Sequence, residues 1–168
     1  MKKIILLSLF FIVLFAGCTV SYKFNGASIN YAETPTIDIR DFQNQAPYVY
    51  PPLTQVFNER MKDVFTRNTK LQFTSINPSL EIEGEIVTYE LTPLSVKEDN
   101  FSAETRLTLG VKMRFRNNKN PNEDKEETIT AYRDFSSSLM LTDVQDGLID
   151  ELTKDIVDQI FNATMSNW

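Results

Sequence analysis

Lys112, Arg114 and Arg116 recur at every second position of one stretch, with Arg106 in the same phase. Alternate residues of an extended strand lie about 6.6 Å apart on one face. The four side chains therefore form a cationic row on one side of a strand. Guanidinium forks bond two oxygens at once, so the chemistry such a row suits is the binding of closely spaced phosphates. A charged, solvated strand face also resists sheet-to-sheet association, and that plainer use stands beside the first. Glu81, Glu83 and Glu85 alternate in the same manner, but Ca²⁺ needs a loop of further oxygen ligands, so they read as a solvated strand face. Ser136-Ser137-Ser138 has no base to activate it, because the 168-residue chain contains no histidine. That absence removes the commonest general base, the commonest transition-metal ligand and the usual pH switch. The five glycines are scattered and build no phosphate-cradling loop. This inventory points to binding without catalysis, metal or cofactor, and no catalytic residue is assigned.

Cys18, the only cysteine, ends an apolar N-terminal run. Met1-Lys2-Lys3 gives a cationic start, Ile4 to Phe15 is apolar except for Ser8, and Ala16-Gly17 supplies the small residues a signal peptidase needs. The run is too short to cross a bilayer, which takes about 20 apolar residues. A small pair followed by cysteine resembles the bacterial lipobox, with Phe15 standing where Leu, Val or Ile is usual. Residues 1–17 thus read as a lipoprotein signal peptide, and Cys18 as the site of a covalent N-acyl and S-diacylglycerol lipid. Each buried CH₂ contributes about 0.8 kcal/mol and stable anchoring takes two chains, so the lipid would hold the protein on a membrane leaflet. The plainer alternative is a small hydrophobe closing an ordinary secretory signal.

Removal of residues 1–17 leaves 151 residues, the size of one domain with its own core, and takes the formal charge from −6 to −8. Such a field opposes nucleic-acid binding. Residues 18–35 read as a lipidated N-terminus and tether, with Tyr22, Phe24 and Tyr31 placed to pack on the domain edge or to lie among lipid headgroups. Residues 36–168 read as one domain. Ile37 and Ile39 mark a strand over 36–42. After Pro51-Pro52, the stripe Leu53, Val56, Phe57, Met61, Val64 and Phe65 predicts a helix to Arg67. A short strand follows from Leu71 towards Ile76. A long one spans 80–91, ending before Pro93, with Gly84 a bulge or a point of close approach. The odd positions from Ala103 to Phe115 form an apolar face, and 127–135 returns as the antiparallel partner. Thr142 and Gln145 have the form of a capping box opening a last helix, whose apolar stripe faces an acidic, solvated side. The layout is α+β: a single mixed, mainly antiparallel sheet of about four strands, with two amphipathic helices packed on one face and the cationic row on the other.

Cys18, the stretch Tyr22-Lys23-Phe24-Asn25-Gly26-Ala27-Ser28-Ile29, Ile37-Asp38-Ile39 and Pro52-Leu53-Thr54-Gln55 together resemble the lipopolysaccharide-assembly lipoprotein family, LptE. So do Leu80-Glu81-Ile82-Glu83-Gly84-Glu85-Ile86 with Tyr89 and Pro93, and Asp155-Ile156-Val157-Asp158-Gln159-Ile160-Phe161-Asn162 with Trp168. The branch it is most similar to is that of Bacteroidota-type Gram-negatives. The resemblance implies an outer-membrane lipoprotein, facing the periplasm or seated in the lumen of the β-barrel LptD, that helps deliver lipopolysaccharide to the cell surface. It also implies basic residues that touch lipid A; Arg106, Lys112, Arg114 and Arg116 are candidates for that role by spacing alone. Thr19, after the cysteine, favours the outer membrane. Two further readings stand beside it: a free-standing lipid- or glycan-binding lipoprotein that uses the cationic face, and an enzyme, which the missing catalytic residues disfavour.

Overall fold

The computed structural model describes residues 29–94 and 103–165. Among the described residues six strands and two α-helices follow one another: β1 (Thr36–Ile39), β2 (Gln43–Asn44), α1 (Pro51–Asn68), β3 (Gln72–Phe73), β4 (Leu80–Leu94), β5 (Glu104–Asn117), β6 (Lys125–Ser136) and α2 (Leu141–Met165). The strands make one sheet in the order β3-β1-β4-β5-β6, with β2 beside β4. β1 pairs with β3 and β4 in parallel, as β2 does with β4, while β4, β5 and β6 are antiparallel, so the sheet is mixed as expected. It has six strands where about four were expected.

One added strand, β2, comes from an interruption, and the short strand expected from Leu71 counts as another, β3. The strand expected over 36–42 stops at Ile39, because the Phe42 amide bonds the Asn58 side chain of α1 and Asn58 returns a bond to the Phe42 carbonyl. The chain then rejoins the sheet as β2. The segment from Leu71 holds only two paired residues, and Phe73 stays exposed on that edge.

β4 and β5 carry the fold. Leu80, Ile82 and Ile86 point into the core from even positions, whereas Tyr89 does so from an odd one. The register shift between Ile86 and Thr88 explains the change: Val87 is an extra residue, a β-bulge that returns apolar side chains to the helix side after the count slips. The bulge is therefore at Val87, and Gly84 is the close approach, where the Phe42 ring lies on the bare Cα beside the Lys112 carbonyl. β4 also passes through Pro93 to Leu94, past the end expected for it.

α1 begins with Pro51 and Pro52, positions whose missing N–H groups leave no helical bond unmade. Both helices start at the same end of the sheet and run side by side, as Tyr50 with Asp146, Arg60 with Asp150, and Phe65 with Phe161 show in succession. Their buried stripes close one continuous core against the sheet. No capping box opens α2: the helix starts before Thr142, and the Gln145 amide is buried, donating to the Tyr89 hydroxyl. The acidic side of α2 is partly paired, since Arg133 of β6 holds both Glu151 and Asp155 and Arg60 holds Asp150. Gly147 lies on that exposed side, and a Cβ there would meet nothing within 4 Å. Gly147→Ala is expected to stabilise the protein by about 0.5–1 kcal/mol through helix propensity and a less free unfolded chain. A thermal melt of the single variant checks this.

Ile29 and Tyr31 pack against the core near the end of α2, and Tyr31 thus takes the domain-edge position. Tyr22, Phe24, Cys18 and Trp168 lie outside the described residues.

Candidate functional site

The sheet face away from the helices is open and polar. β-pairing places three columns of side chains there. Glu81, Glu83 and Glu85 of β4 stand opposite Arg116, Arg114 and Lys112 of β5, and Arg114 and Lys112 stand opposite Glu126 and Thr128 of β6. Column by column the sign alternates, and Arg40, just past β1, adds a positive flank.

The cations of the row are held differently. Lys112 pairs with Glu126 at 2.7 Å, and Arg114 bridges Glu83 and Glu126 at 3.3 and 3.4 Å. Arg116 makes no ion pair among the described residues, because its cross-strand neighbour Glu81 is taken by Arg40 and by the Asn118 amide. Arg106 stands apart, six positions and about 20 Å along the strand from Lys112. It bonds both oxygens of Asp134 at 2.7 and 2.8 Å and lies 3.7 Å from the centre of the Tyr132 ring. The structure thus brings Lys112, Arg114 and Arg116 together, leaves Arg106 elsewhere, and pairs every one of these cations but Arg116 with a carboxylate. A depression of about 390 Å³ on this face is walled by both signs: Arg40, Lys112 and Arg114 against Asp41, Glu83 and Glu126.

Sequence reasoning placed the row but not its partners. Arg40 and Glu126 lie far from it in the chain, and only strand order reveals them. The alternation Lys125-Glu126-Glu127 offered no phase signal.

The pairing has a pH consequence. The Lys112 ammonium holds the Glu126 carboxyl below its ordinary value, and the Arg106 fork does the same for Asp134. A carboxylate lowered in the folded state stabilises above its unfolded value, and that contribution is lost as pH falls through the lowered one. Thermal stability is expected to fall below about pH 4, and less steeply in about 0.5 M salt than in dilute buffer, since exposed pairs are screened. Melting curves across pH and salt check the direction.

Residues 34–164 match the family of lipopolysaccharide-assembly proteins, LptE. The chain belongs to the LptE family. That match spans the folded domain from before β1 to the last turn of α2, and Cys18 lies outside it. No curated protein matches this LptE-family chain. Among solved structures, a protein from Xanthomonas campestris is similar with a TM-score of 0.56 and 9% identity, covering 84% of this chain and 87% of that one. A hypothetical protein from Chlamydia trachomatis gives a TM-score of 0.53 and 11% identity, with 80% and 99% covered. The rare lipoprotein B of Shewanella oneidensis gives 0.45 and 17%, with 75% and 92% covered. At these identities the first two show a shared fold.

Proposed function

We propose that this chain is a lipid-anchored, non-catalytic subunit of the lipopolysaccharide translocon, held at the outer membrane through acylated Cys18. It supports an LptD-like barrel from within its lumen and assists lipopolysaccharide delivery. The observation that carries the reading is the family match across residues 34–164, which is nearly the whole described domain. The physics is in keeping with it. A barrel interior is polar and wet, so an occupant needs a self-sufficient core and polar outer faces. This domain closes its core on one side of the sheet and covers the other with largely paired charge. Residues 18–35 act as the tether between lipid and domain.

The test is purification of tagged chain in mild detergent, where one large barrel protein is expected to co-purify in equal amount. Recovery of the chain alone would sink the subunit reading. Cys18→Ser is expected to leave an unacylated precursor; if it still sediments with outer membranes, the barrel contact and not the lipid retains it.

Within this reading, Arg116 is the cation offered to lipopolysaccharide phosphate, since Lys112 and Arg114 already hold carboxylates. Arg116→Glu is expected to weaken lipopolysaccharide binding about tenfold, or ~1.4 kcal/mol, and Lys112→Glu by less. An equal loss in both variants would mean that the row acts as a diffuse field and not through one side chain. A free-standing binder using the whole row is disfavoured by those same ion pairs.

A further inference from the structure

Beyond the bulge, β4 is hydrogen-bonded on one side only. β5 follows it to Leu94, but β1 leaves it at Ile82 and β2 at Ile86, and no other described strand takes over. Before the bulge the carbonyls of Ile82 and Ile86 turn to that side, accepting from the Arg40 and Gln45 amides. The inserted Val87 shifts the alternation, so that the peptide groups of Tyr89, Leu91 and Pro93 turn there next. Pro93 agrees with this phase, because a residue without an N–H fits a strand only on its unpaired side. Tyr89 and Leu91 thus present amides and carbonyls that nothing described pairs.

This bare edge borders a groove of about 480 Å³, within the range of ligand sites at roughly 300–1,000 Å³. Pro47 and Tyr48 line it together with β4, the Tyr48 ring stacked on that of Tyr89 at 5.4 Å, and buried Leu107 lines it as well. Leu91 is 44% exposed and Tyr48 52%, so apolar surface is offered at the rim. The groove therefore combines a hydrogen-bonding edge with apolar surface on its helix side. A hydrocarbon chain would use the second and leave the first unpaired. An extended peptide uses both. The other long edge, β6, carries Lys125, Glu126, Glu127, Arg133 and Asp134, charges that guard an edge against pairing; from Val87 to Leu94, β4 has Glu90 alone.

We propose that the β4 edge from Val87 to Pro93 is a strand-addition site for an extended peptide segment of a partner protein. The segment places a β-branched or aromatic side chain beside Tyr89 and Leu91 and no acidic one opposite Glu90, where like charges repel. The site does not depend on which barrel, if any, the chain accompanies.

The probe is the fluorescent peptide acetyl-Thr-Val-Lys-Val-Thr-Val-amide, added to the full acylated chain in lipid nanodiscs. Saturable binding below about 1 mM is expected, with hydrogen exchange of the Tyr89 and Leu91 amides slowed at least about tenfold. Methylating alternate peptide nitrogens in the phase facing β4 is expected to abolish binding, and methylation in the opposite phase to spare it. Leu91→Pro removes an N–H from the open side and leaves the β4–β5 ladder whole; it is expected to weaken binding about tenfold with an unchanged circular dichroism spectrum. No saturation at 1 mM overturns the proposal, as do equal affinities for the two methylated peptides. Displacement of the peptide by dodecyl chains with unaltered exchange at Tyr89 and Leu91 assigns the groove to hydrocarbon and likewise overturns strand addition.

Discussion

Gly84→Ala is expected to destabilise the protein by about 3 kcal/mol, at the upper end for an overpacked core, and to lower Tm by roughly 10 °C. The reason is geometric. A Cβ at this position would overlap the Phe42 ring on one side and the Lys112 carbonyl oxygen of β5 on the other. The ring can move only by parting from Phe57 of α1, 5.1 Å away. The carbonyl belongs to the backbone of the central ladder and cannot move without straining β5. Phe42→Ala placed on top of Gly84→Ala removes the first overlap and not the second, so the double variant is expected to remain below Phe42→Ala alone. Thermal and urea unfolding of the three variants decide it. A Gly84→Ala loss under about 0.5 kcal/mol, within the range of an ordinary surface change, would refute the close approach.

The same neighbourhood shows where sequence reading reaches and where it stops. Period-two and period-three-to-four patterns are local, and they placed the long strands and both helices because each element buries one face. The break after Ile39 was not legible, since its cause is Asn58, which captures the Phe42 backbone from another element. The bulge at Val87 did leave a trace: the apolar phase of β4 passes from even residues at Ile82 and Ile86 to odd ones at Tyr89 and Leu91. Pro93 read as a strand end because its tolerance depends on which side of the strand is unpaired, a property of sheet order. Gln145 read as a cap residue for a related reason, since the buried Tyr89 hydroxyl that claims it lies three elements earlier, on β4. At the polar face, residue types and spacing revealed Lys112, Arg114 and Arg116, and strand pairing then decided which of them is already occupied. Charge in a row is a one-strand property; availability for a ligand is a three-strand one.

Phe65→Ala is expected to cost about 3–5 kcal/mol, the range for deleting a buried aromatic ring. Phe65 has no exposed surface, and its ring meets that of Phe161 edge-on, with centres 5.2 Å apart and planes at 70°. This pair joins the final turn of α1 to the late turns of α2, at the end of the domain where Ile29 and Met165 also lie. Phe161 is only partly buried, so Phe161→Ala leaves a site that water can enter and is expected to cost about 1–3 kcal/mol. The two losses should not add. An edge-to-face pair contributes about 0.5–1.5 kcal/mol beyond its buried area, and a double-mutant cycle returns that amount as coupling. Urea midpoints measure all three variants, provided that the slope m stays constant and the unfolded state is therefore unaltered. Additive losses would show that the two rings are held independently by the sheet, and that the helices meet without binding each other. Coupling would show the helix pair as one unit, so that its loosening at this end also loosens Ile29, where the described residues begin.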